Sequence, residues 1–260
     1  MSLTSFVLAN LAAVCLMMFL AWMTSLKIRS VSFVDSLWGL GFVLLAWLSL
    51  VLAPDVTARS ILLAVLVTIW GLRLAVHIAV RNHGLPEDRR YKEMRQRHGD
   101  RFARVSLVTV FLLQALLLWI VSLAVQFGVF AGKPGTFGAL DWLGVAIWCT
   151  GFIFETGADL QMLLFKRNPA NKGKVLDTGF WALSRHPNYF GESLMWWAIY
   201  VLILPTGYAL PALISPVLIT FLLLKVSGVT LAEKDMTSRR PDYQAYKERT
   251  STFIPWFPKK

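Results

Sequence analysis

A chain of 260 residues that is 56% hydrophobic and 16% charged, with a mean hydropathy of +0.57, lies outside the composition of soluble globular domains. Its formal net charge of +11, from 26 Lys and Arg against 15 Asp and Glu, is what basic membrane-flanking loops produce, so nucleic acid is not expected as a partner. Two cysteines, both inside apolar runs, and four histidines without paired ligand spacing argue against a disulfide framework and against a bound metal.

In chain order, apolar runs predict membrane spans at Leu3–Thr24, Phe33–Ala53, Ser60–Val80, Val105–Phe130, Leu140–Phe165, Tyr189–Leu204 and Tyr208–Ala232. Runs of roughly 20 residues, at about 1.5 Å rise each, cover a hydrocarbon core of about 30 Å. Lipid cannot satisfy loose backbone groups, so the expected fold class is all-α: a polytopic membrane protein with about seven transmembrane helices. The sixth run is short enough to lie partly in the interface. Pro54, Pro134 and Pro205 fall where spans should end.

Lys27 and Arg29 follow the first span, and no basic residue precedes it, so it reads as a retained span rather than a cleaved leader. Basic residues crowd Arg81–Arg104, after the third span, and Lys166, Arg167, Lys172 and Lys174, after the fifth. The connections near Arg59, near Lys133 and at Leu204–Pro211 are almost bare of them. This alternation puts the N-terminus outside and the C-terminus in the cytoplasm.

Three groups of polar residues stand where they are costly. The first runs from Phe165-Lys166-Arg167-Asn168-Pro169 through a glycine turn to Ser184-Arg185-His186-Pro187-Asn188-Tyr189-Phe190-Gly191-Glu192. Pro187 suits a first helical position with His186 as its cap, and Asn188, Tyr189 and Glu192 share one helical turn. A carboxamide, a phenol and a carboxylate so placed can hold a flat polar ligand, and a solvent-facing cap with a surface ion pair uses the same residues. The second group is Glu233 with the tail, including Tyr243 and Tyr246, which closes on Phe253-Ile254-Pro255-Trp256-Phe257 and looks like an interfacial anchor. The third comprises the isolated charges Asp35, Arg73, Glu155 and Asp159; internal ion pairing accounts for them as well as a site does.

The run Ser184–Glu192 resembles the signature of the integral-membrane steroid 5-alpha-reductase and sterol-reductase superfamily. Phe165–Pro169 resembles the nucleotide-loop segment of the sterol reductases, and Glu233–Pro255 the superfamily's C-terminal end, so the likeness covers roughly residues 140–260. With Trp70-Gly71-Leu72-Arg73 and Glu87-Asp88-Arg89-Arg90-Tyr91, the whole chain is similar to a compact bacterial branch, which implies a bacterial inner membrane. The resemblance implies one integral-membrane domain over residues 1–260, with substrate-side helices and the basic loop in 1–139 and a cofactor-binding half in 140–260.

It also implies NADPH as cofactor and a hydrophobic or lipid substrate within the membrane, with oligomeric state open. Lys166, Arg167, Arg185 and Lys172 or Lys174 would meet the phosphates, with Asn168 and His186 beside them. Asn188, Tyr189, Glu192 and Glu233 would surround the nicotinamide and ribose. The implied reaction is hydride transfer to a carbon–carbon double bond conjugated to a carbonyl in a steroid, sterol or isoprenoid. Its proton donor would come from Asp35 or the region around Arg73, with Tyr91 and His77 in reserve; Trp70 stands where the superfamily's tyrosine is expected. Two alternatives remain: a membrane methyltransferase of the isoprenylcysteine carboxyl type using S-adenosylmethionine, and a non-enzymatic seven-helix membrane protein. Glu233-Lys234 replaces the paired glutamates usual in the former.

Overall fold

The computed structural model describes residues 1–132, 136–226, 228–233, 236 and 240–259; Lys133 and Pro134, used above, lie outside them. The chain is an all-α polytopic membrane protein, with no strand among the described residues and six helices long and apolar enough to cross a bilayer. It divides into two compact units, Met1–Thr136 with Thr206–Ile214, and Phe137–Pro205 with Ser215–Lys260.

In the first unit α1 spans Leu3–Ile28, α2 Val34–Leu52, α3 Ala58–Asn82, α4 Arg89–His98, α5 Phe102–Ser106 and α6 Leu113–Phe130, and α10, Ala209–Ala212, joins them later in the chain. Ser2 caps α1 by accepting the Ser5 N–H, and Thr57 and Ser60 form a reciprocal capping box at α3. The basic stretch expected as a loop contains a helix because the Asp88 carboxylate accepts the Arg90 N–H at 2.9 Å and so starts α4. Between α5 and α6 the chain continues as a wide π-type turn, Leu107–Leu112. Two indoles fasten α1 on either side of that turn: Trp22 Nε1 donates to the Ala103 carbonyl and Trp119 Nε1 to the Val7 carbonyl, each at 2.9 Å. Side chains facing inward include Phe6, Met18, Phe42, Leu63, Trp70, Phe111 and Leu118, and one buried polar bond, Ser49 to Asn10 at 3.2 Å, joins α2 to α1. α2 and α3 meet backbone to backbone at Gly39 and Gly71.

The second unit is built on α7, Ala139–Arg167, packed along α9, Pro187–Ile203, with α8, Phe180–Leu183, and the segments α11, Ile214–Phe221, α12, Val229–Glu233, and α13, Tyr243–Arg249. The 17 residues of α9 make it the short element that the sixth apolar run foretold. Gly144, Gly151 and Gly191 let α7 and α9 touch: a Cβ at Gly191 would lie 2.4 Å from the Gly151 carbonyl oxygen and 2.5 Å from the Glu155 nitrogen. Helices in lipid associate by such close contact of small residues, since apolar side chains gain nothing by leaving the acyl chains. Gly191→Val is therefore expected to wedge the pair apart and cost about 3 kcal/mol or more, beyond ordinary overpacking. Thermal unfolding in detergent checks this; an unchanged melting temperature would show that α7 and α9 can separate freely.

Candidate functional site

In the second unit the polar run at the start of α9 folds as its residue types dictate. Pro187 occupies the first helical turn with His186 as cap residue. Ser184 Oγ accepts the His186 N–H at 3.1 Å and donates to the Phe253 carbonyl at 2.9 Å. The His186 ring, not needed for capping, meets Glu233: Nε2 and Oε1 are 2.9 Å apart. Its other face stacks on Tyr189, ring centroids 5.5 Å apart and nearly parallel.

Arg185 is only 6% exposed. Its Nε donates to Glu233 Oε1 at 2.9 Å, Nη1 to the Lys247 carbonyl at 2.7 Å, and Nη2 to Thr252 Oγ1 at 2.7 Å. A guanidinium so engaged works as a strut between α9, α12 and the tail. Tyr243 also hydrogen-bonds Glu233. Burial, and then the Glu233 charge, push the Tyr243 phenol above its ordinary range. Burial does the same to Tyr246, whose hydroxyl donates to the Trp181 carbonyl at 2.6 Å. Neither tyrosine nor Thr252 was singled out as a site residue; the three-residue spacing of Tyr243 and Tyr246, placing both on one helix face, was the available signal.

Along the α7–α9 contact, Asn188 Nδ2 donates to Asp159 Oδ1 at 3.0 Å. Among the described residues, no hydrogen-bond partner reaches the buried Asn188 Oδ1 or the buried hydroxyl of Thr156, one turn before Asp159. Glu155, Asp159 and Glu192 are all buried, with Glu155 held against Gly191 by the close approach of the helices. A buried acceptor without a donor is costly, and a ligand N–H would satisfy it. Lys166, Arg167, Asn168, Lys172 and Lys174 lie exposed at and beyond the end of α7, where Asn168 Oδ1 also accepts the Ala170 N–H at 3.0 Å.

The first unit brings Asp35 and Tyr91 together. The Tyr91 hydroxyl donates to Asp35 Oδ1 at 2.9 Å, and Arg90 Nη2 to Asp35 Oδ2 at 3.0 Å. Arg90 also reaches Asp88, Nε to Oδ1 at 3.0 Å, and Ser32 Oγ accepts the Asp88 N–H at 2.7 Å. Although burial opposes ionisation of Asp88, the hydrogen bonds and charge of Arg90 hold its carboxyl below the usual range. Glu87 accepts the Val31 N–H at 2.9 Å and pairs with Arg95, which stacks over Phe102. Together these bonds lock the α1–α2 connection onto α4. Arg73 is half-buried on α3. The sequence signal for Arg90 and Asp88 is an acidic cap immediately before a basic helix.

Residues 21–250 match the family described as a protein of unknown function (DUF1295), and the chain belongs to that family, within the steroid 5-alpha-reductase-like superfamily. It is 26% identical to an uncharacterized protein of Schizosaccharomyces pombe over 97% of this chain and 78% of that protein. It is 29% identical to a Delta(14)-sterol reductase of Ascobolus immersus over 48% of this chain and 31% of the reductase. A shorter stretch, 18% of this chain and 16% of the relative, is 41% identical to a probable O-methyltransferase of Ustilaginoidea virens. No solved structure matches the chain.

Proposed function

We propose that this member of the DUF1295 family is an NADPH-dependent reductase of a carbon–carbon double bond conjugated to a carbonyl in a lipid-like substrate, a steroid, sterol or isoprenoid. The observation that carries the reading is the buried carboxamide oxygen of Asn188, which no donor among the described residues reaches while its nitrogen bonds Asp159, in a chain similar to a sterol reductase. The carboxamide N–H of a nicotinamide is a donor of the kind that oxygen lacks. The stacked His186 and Tyr189 rings offer a flat surface beside it, and Arg185 and Glu233 fix that histidine.

The exposed Lys166, Arg167, Lys172 and Lys174, with Asn168, would hold the phosphates, giving binding that weakens with salt. When bound, the cofactor supplies hydride to the β-carbon. Negative charge then grows on the carbonyl oxygen, and a hydrogen-bond donor there lowers the barrier before the α-carbon takes a proton. Tyr91 is the proposed donor, its one hydroxyl hydrogen turning from Asp35 Oδ1 to the substrate oxygen while water supplies the proton of the α-carbon, with Arg73 as a further positive group on the same unit. A second reading, an S-adenosylmethionine-dependent methyltransferase, draws on the 41% identity to the probable O-methyltransferase.

Titration of the purified protein with NADPH and with S-adenosylmethionine separates the two. Saturable NADPH binding is expected, weakened about tenfold in Asn188→Leu, the effect of losing one hydrogen bond of about 1.4 kcal/mol. Saturable binding of S-adenosylmethionine without binding of NADPH would replace the reductase reading by the methyltransferase one. Binding of neither would favour a non-enzymatic protein.

A further inference from the structure

The tail of the second unit, after α13, is held by hydrogen bonds along its length. Backbone bonds fix it at intervals: Arg185 N–H to the Ser251 carbonyl at 2.8 Å, Trp256 N–H to the Leu183 carbonyl at 2.9 Å, and Lys259 N–H to the Arg249 carbonyl at 2.9 Å. Ser184 Oγ grips the Phe253 carbonyl, and Arg249 pairs with Asp177. Phe253 turns inward to meet Phe190, ring centroids 5.9 Å apart. Its neighbours do the reverse: Ile254, Trp256 and Phe257 are 66%, 71% and 80% exposed. A ridge of three large apolar side chains, held outward by a fixed backbone, is unfavourable in water.

Its setting selects what covers it. The tail runs beside Leu183–Arg185, immediately before α9, the short helix of the sixth apolar run, and beyond the basic end of the spanning helix α7 in the same unit. Lys247 and Lys259 are exposed on the same stretch, with Arg249, which pairs with Asp177, and one exposed acid, Glu248. Trp and Phe beside Lys and Arg are the composition that settles at lipid headgroups, rings at the acyl boundary and cations on anionic phosphates.

We propose that Ile254, Trp256 and Phe257 form a contact with the anionic interface of the bilayer, and that this contact clamps the tail and, through Ser251 and Thr252, holds Arg185 in its position against Glu233. Anionic lipid thereby positions the start of α9, whichever cofactor that region takes. The coupling is mechanical. The tail supplies two of the acceptors of Arg185, its backbone N–H and its Nη2 both bonding to residues 251–252. When the ridge leaves the interface the strap frays, and Arg185 keeps Glu233 but loses those acceptors.

The test uses the full chain with Cys15→Ser and Cys149→Ser, carrying a spin label at Pro258→Cys beside the intact ridge or at Lys172→Cys as an exposed control. Both are placed in nanodiscs of phosphatidylcholine alone or mixed with phosphatidylglycerol. Molecular oxygen, which partitions into lipid, should relax the label at 258 several-fold more effectively than an aqueous nickel chelate, with the reverse at 172. Hydrogen exchange at the amides of Arg185 and Trp256 should be slower in the anionic discs, and about tenfold faster in the Ile254→Ser, Trp256→Ser, Phe257→Ser triple variant. Equal nickel access at 258 and 172 would overturn the proposal. So would exchange indifferent to both lipid charge and the triple variant, and so would shielding from both relaxants that grows with the protein-to-lipid ratio, which would make a second copy the occupant. None of these readouts involves NADPH, so failure of the reductase reading leaves the result interpretable.

Discussion

Tyr91→Phe is expected to lower turnover of a conjugated lipid ketone by about 10²–10³-fold while leaving NADPH affinity within a factor of two. The substitution removes one oxygen from a side chain that is 5% exposed and otherwise keeps its packing. That oxygen donates to Asp35 Oδ1, and Asp35 is itself held by Arg90, so the phenol is aimed by two neighbours and does not rotate freely. Its one hydrogen turns from Asp35 Oδ1 to the substrate oxygen as charge develops there, and because the ring itself stays packed only that hydroxyl has to move. Asp35→Asn should give a comparable loss, because the phenol loses its charged acceptor and Arg90 loses one of its two carboxylate partners. Steady-state rates with melting temperatures recorded alongside distinguish chemistry from collapse. A Tyr91→Phe enzyme within threefold of the parent would remove Tyr91 from the reaction.

Glu233→Gln should be among the most destabilising single changes in the second unit. The carboxylate gathers Arg185, His186 and Tyr243, and the Arg185 left behind is a buried cation without its counter-charge. Breaking such a pair from one side costs about 3–5 kcal/mol; the lower end applies here because Glu233 keeps 15% of its side-chain surface in contact with solvent. Arg185→Met should cost a similar amount, and the double variant less than the sum, since neither charge is then stranded. Thermal or denaturant unfolding of the four proteins in one detergent measures the cycle. Additive losses would mean that the two residues act independently and that the strut described above does not exist.

The sequence announced helices better than it announced partners. Apolar runs located α1, α2, α3, α7 and α9 to within a few residues because hydrocarbon thickness is a strict ruler, whereas the run Val105–Phe130 takes in the wide turn Leu107–Leu112 before α6 and the run Tyr208–Ala232 is divided among α10, α11 and α12. Pro187 betrayed the first turn of α9 for an equally local reason. The site is another matter. Arg185 in a basic, signature-bearing run reads equally well as an anion ligand or as an internal strut, and its bonds to Lys247 and Thr252, 62 and 67 residues away, leave no local trace. Asp35 and Tyr91 are 56 residues apart, and only the folding of α4 onto the α1–α2 connection unites them. The glycine contact between α7 and α9 left no trace in hydropathy, since small residues score like any others in an apolar run.

The wide turn at Leu107–Leu112 has a bearing on how α1 is held. A regular helix advances about 100° per residue, so a turn that accommodates an extra residue rotates everything after it relative to everything before. Ala103 lies before that phase shift and Trp119 after it, yet both meet α1, through the Trp22 indole and at the Val7 carbonyl. Excising one residue from the turn would restore an unbroken spiral and swing one of these two fastenings away from its mate. The irregular stretch thus acts as a vernier, bringing two attachment points at different heights onto the same bearing.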